Sequence, residues 1–193
     1  MKKTLIYIGL LGLLSLGYFS ACKPSDAKTE TSAVITKDSL INRGKYLVVA
    51  MGCNDCHSPK KFGANGPELD SERLLSGHPA NETIMKFDKS IVKNYALFNY
   101  QGTALIGPWG VSYSANITSD ATGIGQWSEE QFIKCIRTGK NKGLENGRPL
   151  LPPMPWQSYA QLNDTDLKSI FAYLQTVKPV ENVVPAAKNL AEL

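Results

Sequence analysis

Between residues 53 and 57 the chain reads CNDCH, and no other stretch restricts its fold so tightly. Two thiols separated by two residues, followed at once by an imidazole, admit three chemistries. The cysteines could cycle as a disulfide redox pair, supply half of a zinc site, or attach a haem covalently with the histidine as iron ligand. A redox pair of this spacing belongs between a strand and a helix of a βαβ unit. Here the preceding DSLINRGKYLVVAMG has helical spacing, and no strand alternation follows. A structural zinc needs four ligands, usually as two close pairs. The remaining candidates, His78 and Cys135, are isolated from each other and from the motif. The third chemistry needs only what is present: thioethers from Cys53 and Cys56, and His57 beneath the iron as proximal ligand. One covalent haem c is therefore expected. A large apolar disc then becomes part of the core, and the chain without it should fold poorly.

The N-terminal residues agree with that chemistry. MKKTLIYIGLLGLLSLGYFSAC has two lysines, an apolar run and small residues, the layout of an export signal over residues 1–21. The run is shorter than the ~20 residues a spanning helix needs. Cys22 stands where the lipobox of bacterial lipoproteins has its acylated cysteine, although Phe19 departs from the aliphatic residue usual there. Residues 22–37 read as a lipidated flexible tether. The expected location is an exported lipoprotein, membrane-anchored and facing the bacterial periplasm, outside the cytoplasm as covalent haem attachment requires. The formal charge is +4; without Lys2 and Lys3 the 21 basic residues fall to 19, against 17 acidic. That balance is too mild to point to nucleic acid.

Residues 38–180 carry the domain, and 181–193 look like a tail. The expected fold is mainly α. A first helix follows Asp38 as N-cap, turns Leu40, Leu47, Val48 and Met51 to one side and stops at Gly52. Gly44 inside it costs about 1 kcal/mol relative to Ala, which suggests another helix crossing over bare backbone. The partner is the last helix, capped by Asn163 with Asp166 in its first turn and Leu167, Ile170, Phe171 and Leu174 on one face. Between them, Ser128 and Gln131 have capping-box spacing, Phe132, Ile133 and Ile136 form a core face, and Gly139 ends the helix. Cys135 in that helix reads as a small buried hydrophobe.

A six-coordinate haem needs a second axial ligand. RPLLPPMPWQSY, residues 148–159, sets Met154 among prolines that exclude helix and central strand, and a stiff loop suits a thioether held against iron. His78 is the rival. Met51 lies too close to the motif, and Met85 reads as packing. If none binds, the iron is five-coordinate, and a haem sensor or peroxidase-like enzyme becomes the alternative.

Together, Gly44 and Tyr46, the CNDCH motif, Met154, and the aromatic pair Phe171 and Tyr173 resemble a class I c-type cytochrome over residues 38–178. The resemblance implies helices packed orthogonally around the haem. Residues 114–139, SANITSDATGIGQWSEEQFIKCIRTG, are similar to a segment in cytochrome subunits of periplasmic alcohol and sugar dehydrogenases. That likeness implies Asn116, Ile117 and Trp127 as haem contacts, with Trp156 a further candidate beside the Met loop. Those subunits often carry several haems, whereas this chain has one attachment motif. The resemblance implies an electron carrier rather than an enzyme. It would exchange single electrons with redox proteins such as a dehydrogenase, an oxidase or another cytochrome, or serve as a subunit of a larger dehydrogenase complex.

Residues 58–126 form an insertion longer than a minimal cytochrome needs. YALFNYQGTALIG suggests a small β-hairpin around Gln101-Gly102, FGANGPELD is glycine-rich and polar, and GPWGVSY reads as loop. Trp109 either packs on the haem or covers a core edge. Lys60, Lys61, Arg137, Lys140, Lys142 and Arg148 cluster in sequence near the ligand-bearing stretches, which suggests a basic rim that steers acidic partners.

Overall fold

The computed structural model describes residues 36–193. The expected export signal, the lipidation site Cys22 and all but the end of the tether lie outside the described residues. Helix α1 spans Lys37–Ala50 and is capped by Thr36, whose hydroxyl accepts from Ser39 N–H at 3.2 Å. It therefore starts ahead of Asp38, the expected cap, and Asp38 instead places its charge at the positive end of the helix. Gly52 has φ 70°, a left-handed turn that suits glycine. It separates α1 from the short helix α2, Cys53–His57.

Helix α3, Glu129–Thr138, is capped by the Ser128 hydroxyl, which accepts from Gln131 N–H at 3.1 Å. The expected capping box is one-sided, because the Gln131 amide donates to Lys142 O. Gly139, at φ 63°, ends α3. After the single turn α4, Trp156–Tyr159, comes α5, Asp164–Leu174, capped by Asn163, which accepts from Asp166 N–H at 2.7 Å.

The close crossing expected at Gly44 is present. A Cβ there would lie 1.8 Å from Ser169 O and 2.8 Å from Tyr173 Cβ, so α1 and α5 meet backbone to backbone. Beside the crossing, Arg43 Nε donates to Asp166 Oδ1 at 2.8 Å, and Asn163 Nδ2 donates to Asp166 Oδ2 at 3.0 Å. Leu47, Val48, Phe132, Ile136, Leu167, Ile170, Phe171 and Leu174 form the main core with Leu75 and Ile124. Each such side chain contributes about 1.5–3 kcal/mol by leaving water.

The insertion holds more strand than its sequence suggested. The glycine-rich FGANGPELD belongs to a hairpin of β1, Lys60–Gly63, and β2, Gly66–Leu69. A second antiparallel sheet has the order β3, Leu97–Phe98; β4, Ala104–Gly107; β5, Gly110–Tyr113. β3 and β4 are the expected hairpin; β5 comes from GPWGVSY, which was expected to be loop. Strand alternation gives this sheet two working faces. Leu97, Ile106 and Val111 point into a second small cluster with Val92 and Leu190, while Leu105 and Ser112, paired with each other, are buried on the other face. Trp109 folds over Gly107 in the β4–β5 turn.

The C-terminal segment is not a loose tail. Val111 and Lys188 exchange backbone hydrogen bonds at 2.8 and 3.2 Å, and a capped 3-10 turn at Leu190–Glu192 follows. Asn182 Nδ2 donates to Ser76 O and His78 O, and its Oδ1 accepts from Ala80 N–H. Among the described residues, no helix is long and apolar enough to cross a membrane.

Candidate functional site

A cavity of about 710 Å³ lies within the main core, inside the range of about 300–1,000 Å³ typical of small-molecule and cofactor sites. Helix α2 gives it one wall through Cys53, Cys56 and His57. The loop before α4 contributes Leu150, Leu151 and Met154. Phe132 and Ile136 of α3 and Leu167, Ile170 and Leu174 of α5 add apolar surface, and the inner face of the second sheet adds Leu105 and Ser112. The fold thus brings the CNDCH motif and Met154, about a hundred residues apart, to the same cavity.

The expected contacts Asn116, Ile117 and Trp127 line it; Trp156 does not. The Trp156 ring lies where a Cβ on Gly139 would sit 2.4 Å away, so it packs over the end of α3. Asn116 is also a knot in the fold. Its Nδ2 donates to Thr122 Oγ1 and Val180 O, and its Oδ1 accepts from Thr118 N–H and Oγ1–H.

His57 Nδ1 lies 2.8 Å from Ala115 O. A proton donated there fixes the tautomer and leaves the Nε2 lone pair free to bind a metal. Burial pushes the His57 pKa down, so the ring is neutral, as a ligand must be. Cys53 and Cys56 are unbonded thiols. Burial pushes Cys53 up to about 11 and raises Cys56 as well. A redox pair needs the opposite shift, toward thiolate. Among the described residues, no cluster of three or more His, Cys, Asp or Glu side chains could hold a metal ion, so the zinc reading finds no ligand set.

Met154 is half-buried and packs against the main core. Met51 shares the cavity but immediately precedes α2; the Tyr159 hydroxyl donates to its carbonyl at 3.0 Å. Met85, expected to pack, is 85% exposed. His78 is fully buried away from the cavity walls, with Nδ1 2.9 Å from Thr103 Oγ1 and Nε2 3.3 Å from Glu82 O. Both of its ring nitrogens are engaged in the insertion.

The expected basic rim is divided. Lys60 Nζ donates to Asp55 O and Gln101 O, both at 2.6 Å, and fastens α2 to the β3–β4 turn. Arg137 is held by Ala160 O and Asp164. Lys142 and Arg148 are exposed and line the cavity. Sequence reasoning missed Ser112 and residues 183–187, which form further wall between the anchors at Asn182 and Lys188. These positions carry no periodicity that would have marked them.

No family model matches the chain. It is 33% identical over 159 residues to the fructose dehydrogenase cytochrome subunit of Gluconobacter japonicus, covering 81% of this chain and 25% of that protein. It is 40% identical over 149 residues to a subunit of nicotinate dehydrogenase from Pseudomonas putida, covering 77% of this chain and 9% of that protein. To the gluconate 2-dehydrogenase cytochrome c subunit of Pantoea cypripedii it is 34% identical over 145 residues, covering 74% of this chain and 24% of that protein. The chain therefore spans a quarter or less of the length of these relatives. The five helices and two small sheets are compatible with a cytochrome c fold, and similarity to cytochrome subunits of dehydrogenases supports a c-type cytochrome.

Proposed function

We propose that this protein is a mono-haem class I c-type cytochrome that carries single electrons, anchored by lipid at Cys22 and facing the periplasm. The observation that carries the reading is the convergence of Cys53, Cys56, His57 and Met154 on one largely apolar cavity. When bound, the haem supplies one-electron exchange at iron. Cys53 and Cys56 would hold it through thioethers, and His57 Nε2 and the Met154 sulfur would bind its iron. The Ala115 carbonyl orients the His57 ring and raises its basicity through the shared proton. Leu105, Ile117, Trp127, Phe132 and Ile170 exclude water and favour the less charged, reduced state. Among the described residues, Lys142 and Arg148 are the permanently charged side chains that line the cavity, and they suit the two haem carboxylates.

The electron partner is a dehydrogenase or another redox protein. Nicotinate, fructose and gluconate dehydrogenases are the named contexts of the relatives, and the same electron-carrying role suits this chain as carrier or subunit. Expressed with a cytochrome maturation system, the protein should keep its colour after denaturation in detergent. Cys53→Ala with Cys56→Ala should lose it entirely. Met154→Ala should lose the weak absorption band diagnostic of thioether–iron(III) ligation, and His78→Ala should keep it. Complete release of haem from the denatured wild-type protein would exclude the reading.

A further inference from the structure

Met154 sits on a loop that cannot hold itself. Pro149, Pro152, Pro153 and Pro155 surround it, and each removes a backbone donor. Near its tip the backbone bonds run from Leu150 N–H to Gly139 O at 2.7 Å and from Met154 N–H to Leu151 O at 3.3 Å, while beyond it Pro155 O accepts from Ser158 and Tyr159 N–H at 3.0 and 3.3 Å. Among the described residues, one side chain from another element donates to this tip: the Ser112 hydroxyl, to the Pro152 carbonyl.

Ser112 is 6% exposed, on the cavity-facing side of β5. A hydroxyl has one proton to give, and the competing acceptor, Leu105 O, is the farther one at 3.3 Å. The strand behind Ser112 is itself pinned, because Val111 is bonded to Lys188 in both directions. The second sheet thus presents a donor aimed two residues ahead of the thioether.

We propose that Ser112 is a positioning residue for Met154: its hydrogen bond to Pro152 O holds the loop so that the sulfur stays on the iron. This rests on the axial role proposed for Met154. Without the hydroxyl the ligand is still present, but its loop swings away more often. Losing one neutral hydrogen bond shifts such an equilibrium about fivefold.

The test uses oxidised holo-protein in four forms: wild type, Ser112→Ala, Ser112→Thr and Ser112→Val. Neutral imidazole is titrated at constant pH while the thioether–iron(III) band is followed. The Ala and Val forms should lose the band at about fivefold lower imidazole than wild type, and the Thr form at the wild-type concentration. Thr and Val differ in the hydroxyl and not in volume, so packing damage is common to both. Equal midpoints for Thr and Val overturn the role of Ser112 and leave Met154 in place. A wild-type protein with no such band removes Met154 as ligand, and the role of Ser112 with it.

Discussion

The helical part of the molecule and the insertion at residues 58–126 bury themselves by different means. Helices α1, α3 and α5 meet through apolar faces, and at Gly44 the approach is so close that no side-chain atom fits. The insertion lends Leu75 and Ile124 to the main core and has a small buried apolar cluster of its own, Val92, Ile106 and Val111. Buried amides, hydroxyls and an imidazole do the rest. Asn99 Oδ1 accepts from Thr103 and Ala104 N–H, both at 2.9 Å; Gln101 and Asn99 both donate to Glu82; His78 lies between Thr103 and the Glu82 carbonyl. A core of the first kind tolerates little change in volume. One of the second kind tolerates little loss of a donor or acceptor, because the group left behind is buried and unpaired.

The sharpest way to break this contrast is Gly44→Ala. Its methyl would meet the Ser169 carbonyl and the Tyr173 stem, and the helices would have to part along their whole contact. We expect a loss of about 3 kcal/mol or more, read as a fall of about 6–12 °C in the melting temperature of the holo-protein. A fall under about 2 °C would mean that the crossing has slack and that volume is not what governs the helical part.

The insertion's counterpart is Asn182→Ala. It deletes donors to Ser76 O at 2.7 Å and His78 O at 2.9 Å and the acceptor of Ala80 N–H at 2.9 Å. The expected cost is about 2 kcal/mol. It should appear as faster amide hydrogen exchange confined to residues 76–80 and 180–188. Equal acceleration across α1 and α5 would show that the two regions open as one unit and share a single mode of burial.

The same division explains what could be read in the sequence. Ser128 and Asn163 announce helix starts because capping is local, and Leu167, Ile170, Phe171 and Leu174 repeat at helical spacing. Gly44 could be interpreted because an unfavourable residue inside a good helix needs a packing reason. The CNDCH motif fixes three cavity-lining residues within one turn of chain. By contrast, β1 and β2 lack alternation: KKFG and GPEL carry no strand pattern, yet they pair from Lys60 with Leu69 to Gly63 with Gly66. Residues 183–187 become cavity wall through Asn182 and Lys188, whose partners lie far away in sequence. Trp156 carried no local sign that its ring belongs to Gly139 rather than to the cavity. Long-range hydrogen bonds of this kind leave no periodic trace.

The smallest expected effect concerns acid and the insertion alone. His78 is fully buried, its ring tilted 37° to that of Tyr113 with centroids 4.7 Å apart, and burial pushes its pKa down despite the nearby Glu82. In the unfolded chain a histidine titrates near 6.5. Below about that pH the unfolded chain binds a proton that the folded chain resists, so stability falls as pH drops; above it the contribution is constant. The slope from one such group cannot exceed about 1.4 kcal/mol per pH unit. Burial also pushes the His57 pKa down; with His57 on iron, as proposed, its ring nitrogen would be closed to acid, and His78 would be the titrating imidazole. Denaturant unfolding of holo-protein between pH 7.5 and 5 should therefore show falling stability on the acid side. In His78→Gln, which is less stable throughout, the dependence should be shallower. Parallel curves for the two proteins would place the acid sensitivity outside the insertion and remove the imidazole from the polar network that distinguishes it from the helical part.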